Sequence, residues 1–138
     1  MERGGETMTS AVPFRVGTDL IEIARIEKLL NEHGERFAER VFTDGERAYC
    51  DSGGVQRAAR YAARFAVKEA VFKALGTGLT IGFAWTDVET VRAANGAPSV
   101  LLHGGAHAEA TRLGIVGWSV SLSHARELAA ANVICWTQ

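Results

Sequence analysis

Tyr61-Ala62-Ala63-Arg64-Phe65-Ala66-Val67-Lys68-Glu69-Ala70-Val71-Phe72-Lys73-Ala74-Leu75-Gly76 reads as one strong helix, rich in alanine and stopped by a glycine. At about 100° per residue, Tyr61, Phe65, Glu69 and Phe72 fall within one arc about 80° wide. A carboxylate inside an aromatic stripe is costly unless a positive charge answers it. Lys68 and Lys73 flank the stripe, and Gly76 to Gly78 follow the helix end. The group has the composition of a site for a hard cation and a phosphate.

The chain around this helix is that of an ordinary globular domain. It has 138 residues, 47% hydrophobic and 22% charged, which suits one domain with a modest core. A formal net charge of −1 favours neither nucleic acid nor an anionic membrane. No apolar run is long enough to span a bilayer. Met1 to Ser10 is polar and lacks the apolar segment of a signal peptide, so a cytoplasmic protein is expected. Cys50 and Cys135 form no CxxC pair and read as free thiols.

Residues 1–11 are expected to form a flexible arm and residues 12–138 a single domain. Val12 to Thr18 alternates as a strand, with Asp19 at its end. Ile21 to His33 is a helix stopped by Gly34, and a short helical piece follows from Glu35 to Phe42. Thr43 with Glu46 is a capping box that opens a helix to about Cys50. The long helix runs from about Val55. Strands are expected at Asp87 to Ala93 and Ser99 to Leu102, joined by an Asn95-Gly96 hairpin turn. Ala106 to Leu113 reads as a helix. Trp118 to Leu122 and Ala129 to Trp136 read as a final antiparallel pair. Hairpins and separate helices, without regular strand–helix alternation, give an α+β class, with an antiparallel sheet against a long helix and shorter ones.

Asp19, between strand and helix, is either a helix N-cap or an acidic ligand. Two carboxylates converging on one site repel each other, and a divalent cation relieves that penalty. Asp19 and Glu69 are too few for Ca²⁺ and suit Mg²⁺, which keeps waters and takes phosphate oxygens. Lys73 forms an i,i+4 pair with Glu69, and either lysine can bind pyrophosphate as a point charge. Gly76-Thr77-Gly78 serves as a helix C-cap or allows close backbone approach to a ligand. It is not a P-loop, because the glycines follow the helix. His124 is expected at the rim of the face that carries Ser119, Ser121 and Ser123, as a phosphate contact or proton relay. Neither GxSxG nor a Ser-His-Asp order is present, so a nucleophile is expected on the substrate.

Three segments in order resemble the holo-acyl-carrier-protein synthases, the small AcpS-type 4′-phosphopantetheinyl transferases. Gly17-Thr18-Asp19-Leu20-Ile21-Glu22-Ile23-Ala24-Arg25 resembles the motif GxDxxxxxR. Arg64 to Gly78 resembles RFxxKEAxxKAxGxG, and Val120-Ser121-Leu122-Ser123-His124 with Ala129-Ala130-Ala131 resembles the third motif. Asn95-Gly96-Ala97-Pro98 is similar to the family's NGxP turn. The N-terminus is about ten residues longer than usual, and Leu128 stands where an aromatic often occurs.

The resemblance implies a 4′-phosphopantetheinyl transferase fold and a homotrimer with active sites between subunits. It implies Mg²⁺-dependent transfer of 4′-phosphopantetheine from coenzyme A to a serine of apo-acyl-carrier protein, in fatty-acid or polyketide synthesis. By motif position, Asp19 and Glu69 would be metal ligands and Lys73 a pyrophosphate contact, with Lys68 a second phosphate candidate. Gly76 would border coenzyme A, Arg64 and His124 would meet its 3′-phosphate, and Arg25 would dock the carrier. The rivals are a coenzyme A or nucleotide-binding module without transfer and a trimeric interaction domain without a site. Intact Asp19, Glu69 and Lys73 argue against the first, and the carboxylate in the aromatic stripe against the second.

Overall fold

The computed structural model describes residues 13–79 and 82–138. The arm expected at residues 1–11, and Val12 at the start of the expected strand, lie outside them. The elements run β1 (Phe14–Glu22), α1 (Ile23–Val41), α2 (Asp44–Asp51), α3 (Arg57–Leu75), β2 (Val88–Arg92), β3 (Pro98–Leu102), α4 (Gly104–Arg112), β4 (Ile115–Ala125) and β5 (Leu128–Thr137). The α+β expectation holds. One antiparallel sheet has the order β1-β5-β4, and β2 and β3 form a separate hairpin.

The decisive helix, α3, is buried nearly all round. The inner face of the three-stranded sheet covers one side, and α1, α2 and β2 lie against the others. Tyr61 packs edge-on against Phe42 at 4.8 Å between ring centroids, and Phe65 against Trp85 at 4.9 Å. Gly76 ends α3 with φ of 81°, and Thr77 N donates to Phe72 O at 3.2 Å, the closing bond of a Schellman turn.

Strand parity decides what meets α3. Arg15, Gly17, Asp19 and Ile21 point inward from β1, and Trp118, Val120, Leu122 and His124 share that face on β4. Phe14, Val16, Thr18 and Leu20 point outward, level with Trp136, Ile134, Asn132 and Ala130 of β5. Much of this outer face is apolar yet open: Val16 is 69% exposed and Leu20 65%.

Gly34 (φ 53°, ψ −130°) breaks α1 into two arms where the sequence predicts a stop. Thr43 and Glu46 form the expected capping box. The Asn95-Gly96 turn closes with Ala93 N donating to Ala97 O at 2.8 Å. One boundary is corrected. The strand does not end at Asp19 but runs to Glu22, because Asp19 and Leu20 stay paired with Ala131 and Ala130. Glu22 is the helix N-cap, so Asp19 caps nothing.

Candidate active site

Asp19 points from β1 toward α3, and Glu69 and Lys73 point back from one side of that helix. Lys73 Nζ donates to the Thr18 carbonyl at 2.9 Å and to Asp19 Oδ1 at 3.1 Å. Two of its three ammonium protons are thereby used, and one remains for a ligand. Lys73 lies on Asp19 instead of its helical neighbour Glu69, which makes no hydrogen bond or ion pair among the described residues.

Glu69 is half-buried. Burial, and then the charge of Asp19, push its carboxyl pKa up, while Lys73 and Arg25 pull it down. These four groups therefore share one electrostatic neighbourhood. Arg25 reaches it from the first turn of α1, which Ile23 N anchors to Glu127 O at 2.8 Å. Among the described residues, no group of three or more His, Cys, Asp and Glu could hold a metal ion. The two carboxylates suit a cation that keeps several of its own oxygen ligands, and Glu69's raised proton affinity comes first from burial and then from Asp19.

Arg64 and His124 meet elsewhere. They line a 390 Å³ cavity with Tyr49, Arg60, Arg92 and Ser123, on another side of α3. Arg64 lies five positions before Glu69, about 140° around the helix. Its guanidinium stacks on Tyr49, and its Nε and Nη2 are buried with no hydrogen-bond partner among the described residues. His124 is there, but not on the serine face. It shares the inner face with Trp118, Val120 and Leu122, whereas the serines alternate to the outer face, with Ser123 also bordering the cavity.

Lys68 is corrected outright. Its side chain is wholly buried and paired with Glu46, which leaves it no access to a phosphate. Its Nζ donates to Glu46 Oε1 at 2.7 Å, to Trp85 O at 3.2 Å and to Val88 O. Glu46 accepts further from the backbone N–H groups of Thr43 and Thr90. The pair ties α2 and the start of β2 to α3, and burial draws the Lys68 pKa down against the pull of Glu46. Gly76 is exposed at the helix end, and its left-handed φ is accounted for by the cap.

Sequence reading missed Tyr49, Arg60 and Arg92. Arg60 and Arg64, at i and i+4 on α3, carried a signal of a shared face. Arg92 ends β2 and carried none.

The family model described as the 4′-phosphopantetheinyl transferase superfamily matches residues 15–131, and the chain belongs to that superfamily. Within it the chain falls among the holo-acyl-carrier-protein synthases, which are transferases. It is 49% identical over 119 residues to the holo-acyl-carrier-protein synthase of Gloeobacter violaceus, covering 86% of this chain and 89% of that one. The Helicobacter pylori synthase, solved in complex with coenzyme A, superposes with a TM-score of 0.77 at 29% identity, over 87% of this chain and 98% of that one. The Bacillus anthracis synthase, solved in complex with coenzyme A (3′,5′-ADP), gives a TM-score of 0.76 at 30% identity, over 92% and 100%.

Proposed function

We propose that residues 12–138 form one transferase domain that moves 4′-phosphopantetheine from coenzyme A to a serine of apo-acyl-carrier protein, releasing adenosine 3′,5′-bisphosphate. The observation that carries this reading is the meeting of Asp19, Glu69 and Lys73 where β1 crosses α3. Asp19 and Glu69 would hold Mg²⁺, which supplies charge neutralisation on the pyrophosphate. Lys73, fixed by Thr18 and Asp19, presents its remaining proton to the same phosphates. The chain then needs no nucleophile of its own, because the carrier's serine attacks. Arg25, exposed beside the site, offers a positive contact for an acidic carrier surface. The reading places the enzyme in fatty-acid or polyketide synthesis, in the cytoplasm, with no nucleic-acid or membrane partner. No helix among the described residues is long and apolar enough to cross a membrane.

The same reading takes the assembly as a homotrimer with shared sites. Asp19 is on β1 and His124 on β4, the two edge strands of the sheet, with α3 packed between them. One coenzyme A reaching both groups within one chain would have to pass that helix. A neighbouring copy seated along the edge strand β1, against the exposed Val16 and Leu20, would bring its own Arg64–His124 pocket to the carboxylates.

Incubating apo-acyl-carrier protein with coenzyme A and Mg²⁺ tests the activity by intact mass. A gain of one phosphopantetheine arm on the carrier, lost with a chelator, is expected. Coenzyme A binding with no gain in carrier mass would overturn it. Mixing inactive Glu69→Gln with inactive Arg64→Ala protein tests the shared site. Activity should return in the mixture, and its absence in mixed oligomers would overturn the sharing.

A further inference from the structure

One aromatic ring in this protein gathers three positive side chains. The guanidinium carbons of Arg60, Arg64 and Arg92 lie 4.1, 4.2 and 5.0 Å from the centroid of Tyr49. Arg60 and Arg64 come from successive turns of α3, Arg92 from the end of β2, and Tyr49 from α2. The 390 Å³ cavity they line also holds His124 and no carboxylate.

Cation–π stacking alone does not account for this cluster. A ring has two faces and can answer two guanidiniums, not three. Arg60 has other support, since its Nη1 donates to the Tyr49 carbonyl at 2.7 Å and to Ser52 Oγ at 3.3 Å. Arg64 has no such bond among the described residues: it is 3% exposed with Nε and Nη2 unpartnered there. A buried charge in that condition is destabilising until an acceptor arrives. Burial lowers its proton affinity against the opposing pull of Cys50, Tyr49 and Glu46, and Arg92 adds a smaller lowering. Three guanidiniums gathered on one ring, with free N–H groups, match the several oxygens of a phosphate monoester.

We infer that Tyr49 is a positioning residue that assembles Arg60, Arg64 and Arg92 into a receptor for a phosphate monoester dianion, and that Arg60 and Arg92 set the preference for a nucleotide carrying a 3′-phosphate over one without it. This rests on the proposed reading of the Arg64–His124 end as the coenzyme A 3′-phosphate contact, and adds to it the residues that make the contact selective. Arg92 acts by charge from the exposed rim, and Tyr49 acts only through the arginines.

Calorimetric binding of adenosine 3′,5′-bisphosphate and of adenosine 5′-monophosphate, both with Mg²⁺, reads the preference without any transfer step. The native chain should prefer the bisphosphate by about 10–100-fold. Arg92→Ala, at an exposed position, should cut that preference about tenfold. Tyr49→Ala should reduce it similarly, while Tyr49→Phe, which keeps the ring, should retain it. Should Tyr49→Ala fail to fold, Arg92→Ala and Arg60→Ala decide. If those variants keep the native preference while Arg64→Ala loses it, this inference falls and the reading of the 3′-phosphate pocket stands. If Arg64→Ala keeps it too, both fall.

Discussion

A Cβ placed on Gly17 would lie 1.8 Å from the carbonyl oxygen of Ala70, so β1 and α3 touch backbone to backbone at that point. Asp19 follows Gly17 on the same inward face, and Glu69 and Lys73 bracket Ala70 on the helix. The missing side chain at position 17 is therefore what lets Lys73 reach Asp19 and Thr18. Gly17→Ala should push the layers apart, destabilise the fold by about 1–3 kcal/mol or more, and lower transfer in the fraction that folds. Denaturant unfolding and carrier modification check the two effects, and a variant as stable as the native chain would contradict the contact.

Glu69→Gln should abolish Mg²⁺ binding and reduce transfer by about 100-fold or more. In the metal-free protein the same change should raise the melting temperature, because it removes a half-buried charge that repels Asp19. Calorimetry with and without Mg²⁺ separates the two outcomes.

The pH dependence has a definite sign. Glu69 binds its proton more tightly in the folded chain than at its ordinary value of 4.5. Its contribution to the stability of the metal-free fold is thus fully present below that ordinary value, and is lost as pH rises through the raised folded value. Mg²⁺ affinity should run the other way, weakening as pH falls through the raised value, since the proton competes for the carboxylate. Melting curves and metal titrations from pH 4 to about 8 check this, with Glu69→Gln removing the stability component.

Lys68 and Lys73 should part company under mutation. Lys68→Met leaves Glu46 charged and buried, and should cost about 3–5 kcal/mol of stability with little effect on the KM for coenzyme A. Adding Glu46→Gln should recover part of the loss. Lys73→Ala should cost about 1 kcal/mol of stability or less, since the lysine of the Asp19 pair is half exposed although Asp19 is not, and should raise the coenzyme A KM about tenfold. Unfolding curves and steady-state kinetics on the same preparations distinguish them.

Arg25→Ala should raise the KM for the carrier about 5–10-fold, leave that for coenzyme A near native, and reduce the salt sensitivity of the carrier KM. Kinetics at two ionic strengths check it.

The long helix, the break at Gly34, the capping box and the Asn95-Gly96 turn were all legible in sequence, because each is decided by residues within a few positions of one another. Glu69 stands out in the sequence as a charge in an aromatic stripe, and the structure sets it near Asp19, Lys73 and Arg25. The role of Lys68 was not legible. Its partner Glu46 is 22 residues away, and only the packing of α2 on α3 brings them together. The end of β1 was misplaced because Asp19 has a cap's chemistry, while the ladder is sustained by Ala129 to Ala131, more than a hundred residues on. The face of His124 was available in the alternation itself, since it keeps the parity of Trp118 and Leu122. The Tyr49 cluster draws on three separated segments, and no local pattern announces it.

The hydrogen bond from Thr18 Oγ1 to Asn132 Oδ1, 2.7 Å long on the outer surface of the sheet, has a bearing on sample quality. It marks the one pairing of β1 with β5 that aims Asp19 at the helix. A slip by a single residue would turn that carboxylate outward while preserving helix content and outline. A mis-zipped fraction would thus pass far-ultraviolet dichroism and size checks yet, if Asp19 and Glu69 hold Mg²⁺ as proposed, capture no ion, and titrated metal stoichiometry would then count the correctly zipped molecules.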